Sequence, residues 1–254
     1  MTSKAQEQLL KLVQLSNHLG NPAHDFVILG EGNSSARVDE NTFWVKASGV
    51  EMGTAKADDF VQVRFAPVLS MLDGPDLDDD AIRQRLLAAK VDPRIAAHPS
   101  VETSFHAICL SIEGVNFVGH THPTAVNMIT CSTAFEEAFR GRLFPDEIVV
   151  CGPAPVLVPY VDPGLPLARE IHRRILAYFE TYGERPRVIL MQNHGMIALG
   201  ETAKQVANIT ATMVKTARIL LGTYVLGGPN FMSEEAVSRI HTRPDEHYRQ
   251  KLLK

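Results

Sequence analysis

Two histidines, His120 and His122, stand one residue apart at the end of an apolar run of the sequence. Phe117 and Val118 in this run predict a short buried strand. Because residues two apart on a strand project to the same face, both imidazoles can reach one metal ion. Pro123 favours an extended backbone at His122, which helps to hold that geometry. Two imidazoles do not fill a tetrahedral metal site, so the pattern requires a third ligand.

The best candidate for the third ligand is His194, which follows a buried strand predicted over residues 187–191. Gly195 comes next and permits a sharp turn. Three histidines at the ends of buried strands leave coordination positions open, which is typical of a catalytic rather than a structural metal. Three imidazoles suit Zn2+ best, with Mn2+ or Co2+ as alternatives. For His120 and His122, spacing alone supports a structural role equally well.

Glu102 is the candidate acid/base, in a segment, residues 99–102, that opens a predicted helix. Ser100 suits the N-cap of this helix, and a carboxylate in the first turn suits the helix dipole. Glu102 is therefore either a proton-transferring group or simply the charge that starts a helix. His98 and His106 lie close to Glu102 in sequence and are weaker candidates for the same site.

Two loops of the sequence are rich in small residues and backbone donors. One contains Gly32, Asn33 and Ser34, and the other contains Ser48 and Gly49. Both suit an anion-binding concavity for phosphate or carboxylate oxygens, and both suit plain turns equally well. Residues 30–35 lack the third glycine of a dinucleotide-binding fingerprint and lead into a strand rather than a helix, which excludes that reading.

The elements that must position these residues follow from apolar periodicity. Several predicted strands are joined by tight turns, so we expect an α/β fold with a mixed or mainly antiparallel sheet and helices on both faces. Strands are predicted over residues 26–29, 36–38, 42–45, 60–64, 115–122, 148–150, 156–158, 187–191 and 196–199. Helices are predicted over residues 4–19, 81–90, 135–139, 165–182 and 202–221, and others open near residues 99 and 124.

Composition excludes several classes of protein. A chain of 254 residues can form one large domain or two small ones, and a net charge of -4 without a long basic run does not favour nucleic-acid binding. No apolar stretch approaches the roughly 20 residues of a membrane span. The N-terminus lacks the apolar core of a secretory signal, and three cysteines without CxxC spacing indicate reduced thiols. We therefore expect a cytoplasmic protein with no membrane and no nucleic-acid partner.

The motifs together resemble the class II aldolase/adducin family, which includes the fuculose- and rhamnulose-phosphate aldolases and ribulose-phosphate 4-epimerase. The resemblance covers residues 5–222, and we expect a class II aldolase-like domain over 1–228 followed by a polar C-terminal tail over 229–254. The tail contains His241, His247 and Tyr248 and is expected on the surface or at a subunit boundary. The motifs, in chain order, are Gly32-Asn33-Ser34, Ser48-Gly49, Ser100-Val101-Glu102, His120-Thr121-His122 and Asn193-His194-Gly195.

The resemblance implies a three-layer α/β/α fold with a mainly antiparallel central sheet. It implies Zn2+ or a similar divalent ion on His120, His122 and His194, with Glu102 as the acid/base. It also implies a homotetramer with active sites between subunits. The substrate's phosphate would be held by the residues of the small loops and the helix start, namely Gly32, Asn33, Ser34, Ser48, Gly49 and Ser100.

The sequence departs from the family pattern at two places. Phosphate-binding relatives usually carry a second hydroxyl just before the glutamate, where this chain has Val101. Aldolase relatives also use a tyrosine from the neighbouring subunit, but residues 134–150 contain none. Asp146, Glu147 and Tyr248 are the alternatives for that role.

The leading hypothesis is a metal-dependent lyase that cleaves or forms a carbon–carbon bond in a hydroxy-carbonyl sugar or sugar phosphate, through an enediolate. An epimerase or a decarboxylase could use the same site. A non-catalytic scaffold, as in the adducins, is a further alternative, although such a scaffold has no need for Glu102 together with the three histidines. The expected partners are a small hydroxy-carbonyl substrate and further copies of this chain.

Overall fold

The computed structural model describes residues 3–245, which form a seven-stranded sheet between two layers of helices. The strand order is β3-β2-β1-β4-β7-β6-β5, and the pairing of β5 with β6 is the one parallel pair of this sheet. The strands are β1 (Asn33–Arg37), β2 (Thr42–Lys46), β3 (Phe60–Arg64), β4 (Phe117–Thr121), β5 (Val156–Val158), β6 (Val188–Met191) and β7 (Gly195–Gly200). The prediction of a mainly antiparallel central sheet is confirmed.

The helices cover both faces of the sheet. They are α1 (Lys4–Leu19), α2 (Phe65–Leu69), α3 (Asp79–Ala88), α4 (Thr103–Ser111), α5 (Thr124–Thr130), α6 (Phe135–Ala138), α7 (Pro145–Cys151), α8 (Leu165–Tyr182), α9 (Ala203–Val225) and α10 (Glu234–Thr242). Short 3-10 turns lie at Pro22–His24, Met52–Thr54 and Ala57–Asp59. One hydrophobic core lies under α2, α3, α4 and α8, and the other lies under α1, α5, α6 and α9. None of the described helices is both long enough and apolar enough to cross a membrane.

The centre of the sheet is buried on both faces, and this determines the composition of its strands. Residues of β6 and β7 form continuous apolar runs because helices pack on either side of them. β4 is also fully buried, yet it carries His120 and Thr121 near its end. Polar side chains inside such a strand need partners, so this strand end is where the site is built.

Two predicted strands are wrong. Residues 26–29 form no strand, because Phe26 and Val27 are buried while Ile28 and Leu29 are 62% and 76% exposed, and Leu29 adopts a left-handed backbone. Residues 148–150 lie in α7 instead of a strand. Pro145 at the start of α7 and two acidic residues in its first turn favour the helix over the β-branched side chains that follow.

The C-terminal segment contains the helix α10, and the side chains of this helix are half-buried or exposed. His241 lies near the end of α10, and its Nε2 is 2.9 Å from a carboxylate oxygen of Glu184. His247 and Tyr248 lie outside the described residues. The division into a domain over 1–228 and a tail over 229–254 stays a prediction.

Candidate active site

Three histidines converge near one end of strands β4 and β7. His120 lies on β4, His122 follows the end of that strand, and His194 lies in the turn between β6 and β7. The centroids of the three rings are 4.7, 5.0 and 5.1 Å apart. One nitrogen of each ring lies within 4.8 Å of the others, so the three side chains are close enough to hold one ion.

The turn that carries His194 depends on its unusual backbone. Asn193 has φ of 55°, a left-handed conformation that asparagine tolerates better than most residues. The side-chain amide of Asn127 donates a hydrogen bond to the carbonyl oxygen of His194 at 3.0 Å. A Cβ on Gly195 would lie 2.5 Å from a carbonyl oxygen at the end of β4 and 2.7 Å from Cδ2 of His122. Glycine is therefore required there for β7 to approach the strand that carries His122.

Two of the imidazoles point ring nitrogens at each other. Nδ1 of His120 lies 3.0 Å from the carbonyl oxygen of Met196 and must carry a proton, because a carbonyl only accepts. In the neutral ring, Nε2 of His120 then carries a lone pair and can accept a hydrogen bond. Nε2 of His122 lies 3.0 Å from this atom. Burial, with the neighbouring His120 and His194, lowers the pKa of His122 to about 3. In these neutral rings the hydrogen bond requires the proton of His122 on Nε2, so both rings turn Nε2 towards the same point with one proton between them.

Glu102 sits immediately before α4 and faces these histidines. Its Oε1 lies 3.3 Å from Nε2 of His194 and 3.6 Å from Nε2 of His120. Its Oε2 accepts a hydrogen bond from Nδ2 of Asn33 at 2.5 Å. Burial raises the pKa of the Glu102 carboxyl, but the charges and hydrogen bonds of His120 and His194 outweigh it and hold that pKa well below its usual range. Burial lowers the pKa of His120, and Glu102 more than reverses this, so the carboxylate favours positive charge here.

A cavity of about 670 Å³ opens in front of Glu102 and His122. Most of the predicted substrate-binding residues line this cavity, whereas Ser34 is fully buried and does not. Those that line it are Gly32, Asn33, Ser48, Gly49 and Ser100. Val101 lines it too, so the position before Glu102 presents methyl groups where phosphate-binding relatives present a hydroxyl.

Specific backbone contacts hold the two small-residue segments around the cavity. The first was predicted as a loop, but Asn33 and Ser34 lie on β1 and pair with β4. A Cβ on Gly32, where φ is +66°, would lie 2.6 Å from a carbonyl oxygen of β4. The N–H of Ser48 donates to the carbonyl oxygen of His98 at 2.9 Å, so this donor is already used within the protein. Oγ of Ser100 accepts from the N–H of Glu102 at 3.0 Å and fixes the start of α4. The prediction that Ser100 is the N-cap of this helix is wrong, because Glu102 occupies the N-cap position and Ser100 lies two residues before it.

The sequence analysis missed Lys46, a buried cation that also lines the cavity. Its Nζ donates to the carbonyl oxygen of Ala47 at 3.3 Å and to that of Val50. Burial lowers the pKa of Lys46 to about 8, and the carboxylates of Glu102 and Asp59 partly oppose this effect. The available signal was a lysine at the end of a predicted strand, directly before the loop that contains Ser48 and Gly49.

The residues predicted to replace the relatives' interface tyrosine have different surroundings in the structure. Glu147 is buried against Arg142, with 2.8 Å between Oε1 and Nη1, so it is committed to an ion pair. Asp146 stands in the first turn of α7. Tyr248 lies outside the described residues. Glu147 is thus unsuited to reach a neighbouring active site.

These features accompany a clear family assignment. The family described as "Class II Aldolase and Adducin N-terminal domain" matches residues 11–221, and this chain belongs to it. The resemblance that the motifs predicted is therefore confirmed. The superfamily includes aldolases, dehydratases, decarboxylases and epimerases, and its class II aldolases use a divalent metal.

Individual relatives are distant. The chain is 27% identical over 215 residues to the uncharacterized oxidoreductase YuxG of Bacillus subtilis, which covers 82% of this chain but only 28% of that longer protein. It is 28% identical over 205 residues to the methylthioribulose-1-phosphate dehydratase of Microcystis aeruginosa, covering 76% of this chain and 85% of the dehydratase.

Solved structures share the fold. The N-terminal class II aldolase domain of a conserved protein from Thermoplasma acidophilum superposes with a TM-score of 0.65, at 25% identity over 83% of this chain and 92% of that one. An L-fuculose 1-phosphate aldolase superposes with a TM-score of 0.68, at 17% identity over 92% and 94% of the two chains.

Proposed function

We propose that this protein is a divalent-metal-dependent lyase that cleaves or forms a carbon–carbon bond in a hydroxy-carbonyl sugar or sugar phosphate. The observation that carries the proposal is the meeting of three imidazoles and one carboxylate beside a cavity lined by small polar residues. This set combines an open metal site with a group that can move a proton next to it.

The residues present fit a divalent cation. Nδ1 of His120 is turned to a backbone carbonyl, which leaves Nε2 as a ligand in the manner usual for metal-binding histidines. One nitrogen each from His122 and His194 lies within 4.8 Å of it, and no ammonium or guanidinium among the described ion pairs neutralises Glu102. Three imidazoles favour Zn2+, with Mn2+ or Co2+ as alternatives. The bound ion would polarise the substrate carbonyl and stabilise negative charge that develops on its oxygen.

Glu102 is the proton-transferring group in this proposal. Its Oε2 is held by Asn33, so Oε1 is the oxygen free to take a proton from the substrate carbon or return it. The positive charge of an ion held beside Glu102 would favour the basic, ionised form of its side chain before reaction. The enediolate left by bond cleavage would receive its proton from the same atom.

The polar lining of the cavity would bind the rest of the substrate. Asn33, Ser48 and Ser100 offer amide and hydroxyl groups, and Gly49, where a Cβ would meet no atom within 4 Å, lets a ligand approach the backbone closely. Gly32 instead makes room for the backbone of β4. Ser34, predicted to take part, would act only indirectly because it is fully buried. Lys46 adds a positive charge behind the loop, which favours a phosphate or carboxylate at this end.

We also propose a cytoplasmic homotetramer in which neighbouring subunits complete the active sites. The side chains of Ile28 and Leu29 support this, because these apolar groups stand exposed beside the loop that leads into the cavity. Such exposed apolar side chains are often covered by a partner. Sedimentation equilibrium tests the proposal: about four chains per particle is expected, and a monomer at micromolar concentration would contradict it.

A second candidate is a dehydratase that removes water from a hydroxy-carbonyl sugar phosphate. The observation that favours it is the 28% identity to a methylthioribulose-1-phosphate dehydratase over 85% of that enzyme. The missing tyrosine in residues 134–150 also separates this chain from the aldolase pattern. Both reactions need a proton moved next to a polarised carbonyl, so Glu102 would serve in either.

Proton exchange on a simple hydroxy-ketone tests the lyase most directly. The metal-loaded protein is incubated in D2O with dihydroxyacetone phosphate or dihydroxyacetone, and loss of the carbon-bound proton is followed by NMR. We expect exchange that Glu102→Gln slows by about 10²–10⁴-fold without loss of metal. Asp79→Asn, which alters an exposed carboxylate at the rim of the same cavity, is the control. Full exchange by Glu102→Gln would refute the role of Glu102, and no exchange with either ketone would favour the dehydratase.

A further inference from the structure

A buried chain of hydrogen bonds runs behind Glu102, away from the cavity. Oγ of Ser35 lies 2.6 Å from Nδ1 of His106, and Nε2 of His106 is hydrogen-bonded to Oδ1 of Asn33. Nδ2 of Asn33 then donates to Oε2 of Glu102 at 2.5 Å. The chain joins β1 to α4, because Asn33 and Ser35 lie on the same face of β1 and His106 lies one helical turn after Glu102.

The charge of Glu102 fixes the direction of every donor in this chain. A carboxylate only accepts hydrogen bonds, so Asn33 must present its NH2 group to Glu102 and its oxygen to His106. That oxygen also only accepts, so Nε2 of His106 must carry the proton. Nδ1 of the neutral ring is then an acceptor, and the hydroxyl of Ser35 donates to it. The reversed chain would place the Asn33 oxygen against a carboxylate, which is repulsive.

The surroundings of His106 keep it in this neutral, oriented state. The side chain is fully buried and its ring stacks on Phe105, with 4.8 Å between centroids and 25° between planes. Burial lowers the pKa of His106 to about 3, so the ring does not take up a second proton near neutrality. Ser35 is also fully buried, so solvent does not replace either hydrogen bond.

We propose that Ser35 and His106 act through Asn33 to hold Oε2 of Glu102, so that Oε1 alone is presented for proton transfer. His106 is thus a positioning residue for Glu102 and not a metal ligand. This inference rests on the proposed function, in which Glu102 moves the proton. Asn33 then has two roles, because it lines the cavity and its amide also donates a hydrogen bond to the carboxylate of Glu102.

Neutron diffraction of the deuterium-exchanged, metal-loaded protein tests the direction of the chain without any substitution. The inference requires deuterium on Nε2 of His106 and none on Nδ1. It also requires the hydroxyl deuterium of Ser35 to point at Nδ1 of His106. The deuterated amide nitrogen of Asn33 must point at Glu102. Deuterium on Nδ1 of His106, or the Asn33 oxygen turned towards Glu102, would overturn the inference.

Two substitutions of His106 test whether the chain matters for proton transfer. His106→Leu removes both nitrogens in a similar volume, whereas His106→Gln keeps a donor near the position of Nε2. With the hydroxy-ketone exchange reaction as readout, we expect His106→Leu to lower kcat by about 10- to 100-fold. The KM and metal content should stay close to those of the unmodified protein, because neither the cavity nor the imidazoles are altered. His106→Gln should restore most of the lost kcat.

A serine pair provides the matched control. Ser35→Ala removes the donor to His106, and Ser104→Ala removes a hydroxyl on α4 that is equally buried but has no hydrogen-bond partner. We expect a lower kcat for Ser35→Ala and an unchanged kcat for Ser104→Ala. Equal kcat values for both serine variants, or equal losses for His106→Leu and His106→Gln, would reduce the chain to a structural role and overturn the inference.

The outcomes separate this inference from the proposed function. If Glu102→Gln exchanges at the full rate, the proposed function fails and the inference fails with it. If Glu102→Gln is inactive while folded His106→Leu exchanges at the full rate, only the inference fails. Loss of kcat in both, with rescue by His106→Gln, supports the two together.

Discussion

Two carboxylates of this protein, the partly buried Glu102 and the fully buried Glu147, meet different neighbours. Glu147 meets the guanidinium of Arg142 at 2.8 Å and accepts a second bond from the N–H of Leu143, also at 2.8 Å. Both side chains of this pair are almost completely buried. Burial raises the pKa of Glu147, and the charge of Arg142 offsets only part of this effect.

Glu102, in contrast, makes no direct ion pair with a lysine or arginine among the described residues, although the charge of Lys46 acts on it across the cavity. Its neighbours are two imidazole nitrogens at 3.3 and 3.6 Å and the amide of Asn33, and it faces a cavity rather than a packed core. Taking a charge out of water is unfavourable unless an opposite charge is supplied. The ion pair of Glu147 supplies that charge by direct contact, whereas Glu102 faces imidazoles that, in the proposed function, hold a metal ion. We therefore assign Glu147 to stability and Glu102 to chemistry.

Removal of the metal should have the largest effect. We expect dialysis against a chelator to lower turnover by at least about 10³-fold, because no other group in the site polarises the substrate carbonyl. The free energy of unfolding should also fall, by about 2.7 kcal/mol if the metal had been present at 100 times its Kd. Turnover and thermal melting before and after addition of Zn2+ measure both effects. A chelated protein with full activity would contradict the assignment of Glu102 to a metal-dependent site.

Glu147→Gln should lower stability and leave kcat unchanged, whereas Glu102→Gln is expected to lower the reaction rate. Removing one partner of a buried ion pair leaves Arg142 without its counter-charge and should lower the free energy of unfolding by about 3–5 kcal/mol. The kcat of the folded fraction should not change. Glu137→Gln breaks the exposed pair with Arg140 and should cost only about 0–1 kcal/mol. Denaturant melts test this difference, and equal losses in the two variants would break the comparison.

Gly195→Ala should affect the site of Glu102 through its histidines. The added methyl group would collide with Cδ2 of His122, so we expect a loss of about 1–3 kcal/mol in stability together with weaker metal binding. Gly222→Ala is the control, because a Cβ at that position of α9 meets no atom within 4 Å. Competition with a coloured chelator measures metal affinity. An unchanged affinity in Gly195→Ala would show that the close approach of β7 does not position His122.

Lys46 should give the smallest effect, seen as a pH dependence. The folded protein holds its pKa at about 8, against 10.5 for an ordinary lysine. Between these values the unfolded chain binds more protons at Lys46 than the folded one, so the free energy of unfolding rises with pH across this window. Lys46→Met lacks that rise. The free energy of unfolding of the unmodified protein, minus that of Lys46→Met, should therefore rise by about 1–2 kcal/mol between about pH 7.5 and about pH 9.5. Exposed Lys56→Met is the control, and a flat difference for Lys46→Met would contradict the lowered pKa.

Local patterns predicted the parts of the site that lie close together in sequence. His120 and His122 follow from strand spacing, and the turn at His194 follows from its position between a buried strand and Gly195. The helix α4 follows from its apolar residues at helical spacing, although its start lies later than the predicted cap at Ser100. These features depend on neighbours within a few residues, and periodicity describes such neighbours well.

Other features of the structure were not predicted from local sequence patterns. His106 was only a weaker candidate for the site, and its role was not predicted because its partners Asn33 and Ser35 lie 73 and 71 residues away. Residues 148–150 looked like a strand because β-branched side chains dominate there, although the capping signal before them was present. Residues 26–29 looked like a buried strand, yet Ile28 and Leu29 turn outwards at the edge of the site. Tertiary packing decided the cases of His106 and residues 26–29, whereas the local start signals at Pro145 decided residues 148–150.

The metal content of the purified protein tests the central claim most directly. It should be measured by mass spectrometry for the unmodified chain, for His120→Ala, His122→Ala and His194→Ala, and for Glu147→Gln as the folded-state control. The account predicts about one divalent ion per chain in the unmodified protein and in Glu147→Gln, and loss of the ion in each histidine variant. An unmodified protein that holds no metal, even after incubation with Zn2+, Mn2+ and Co2+, would contradict it.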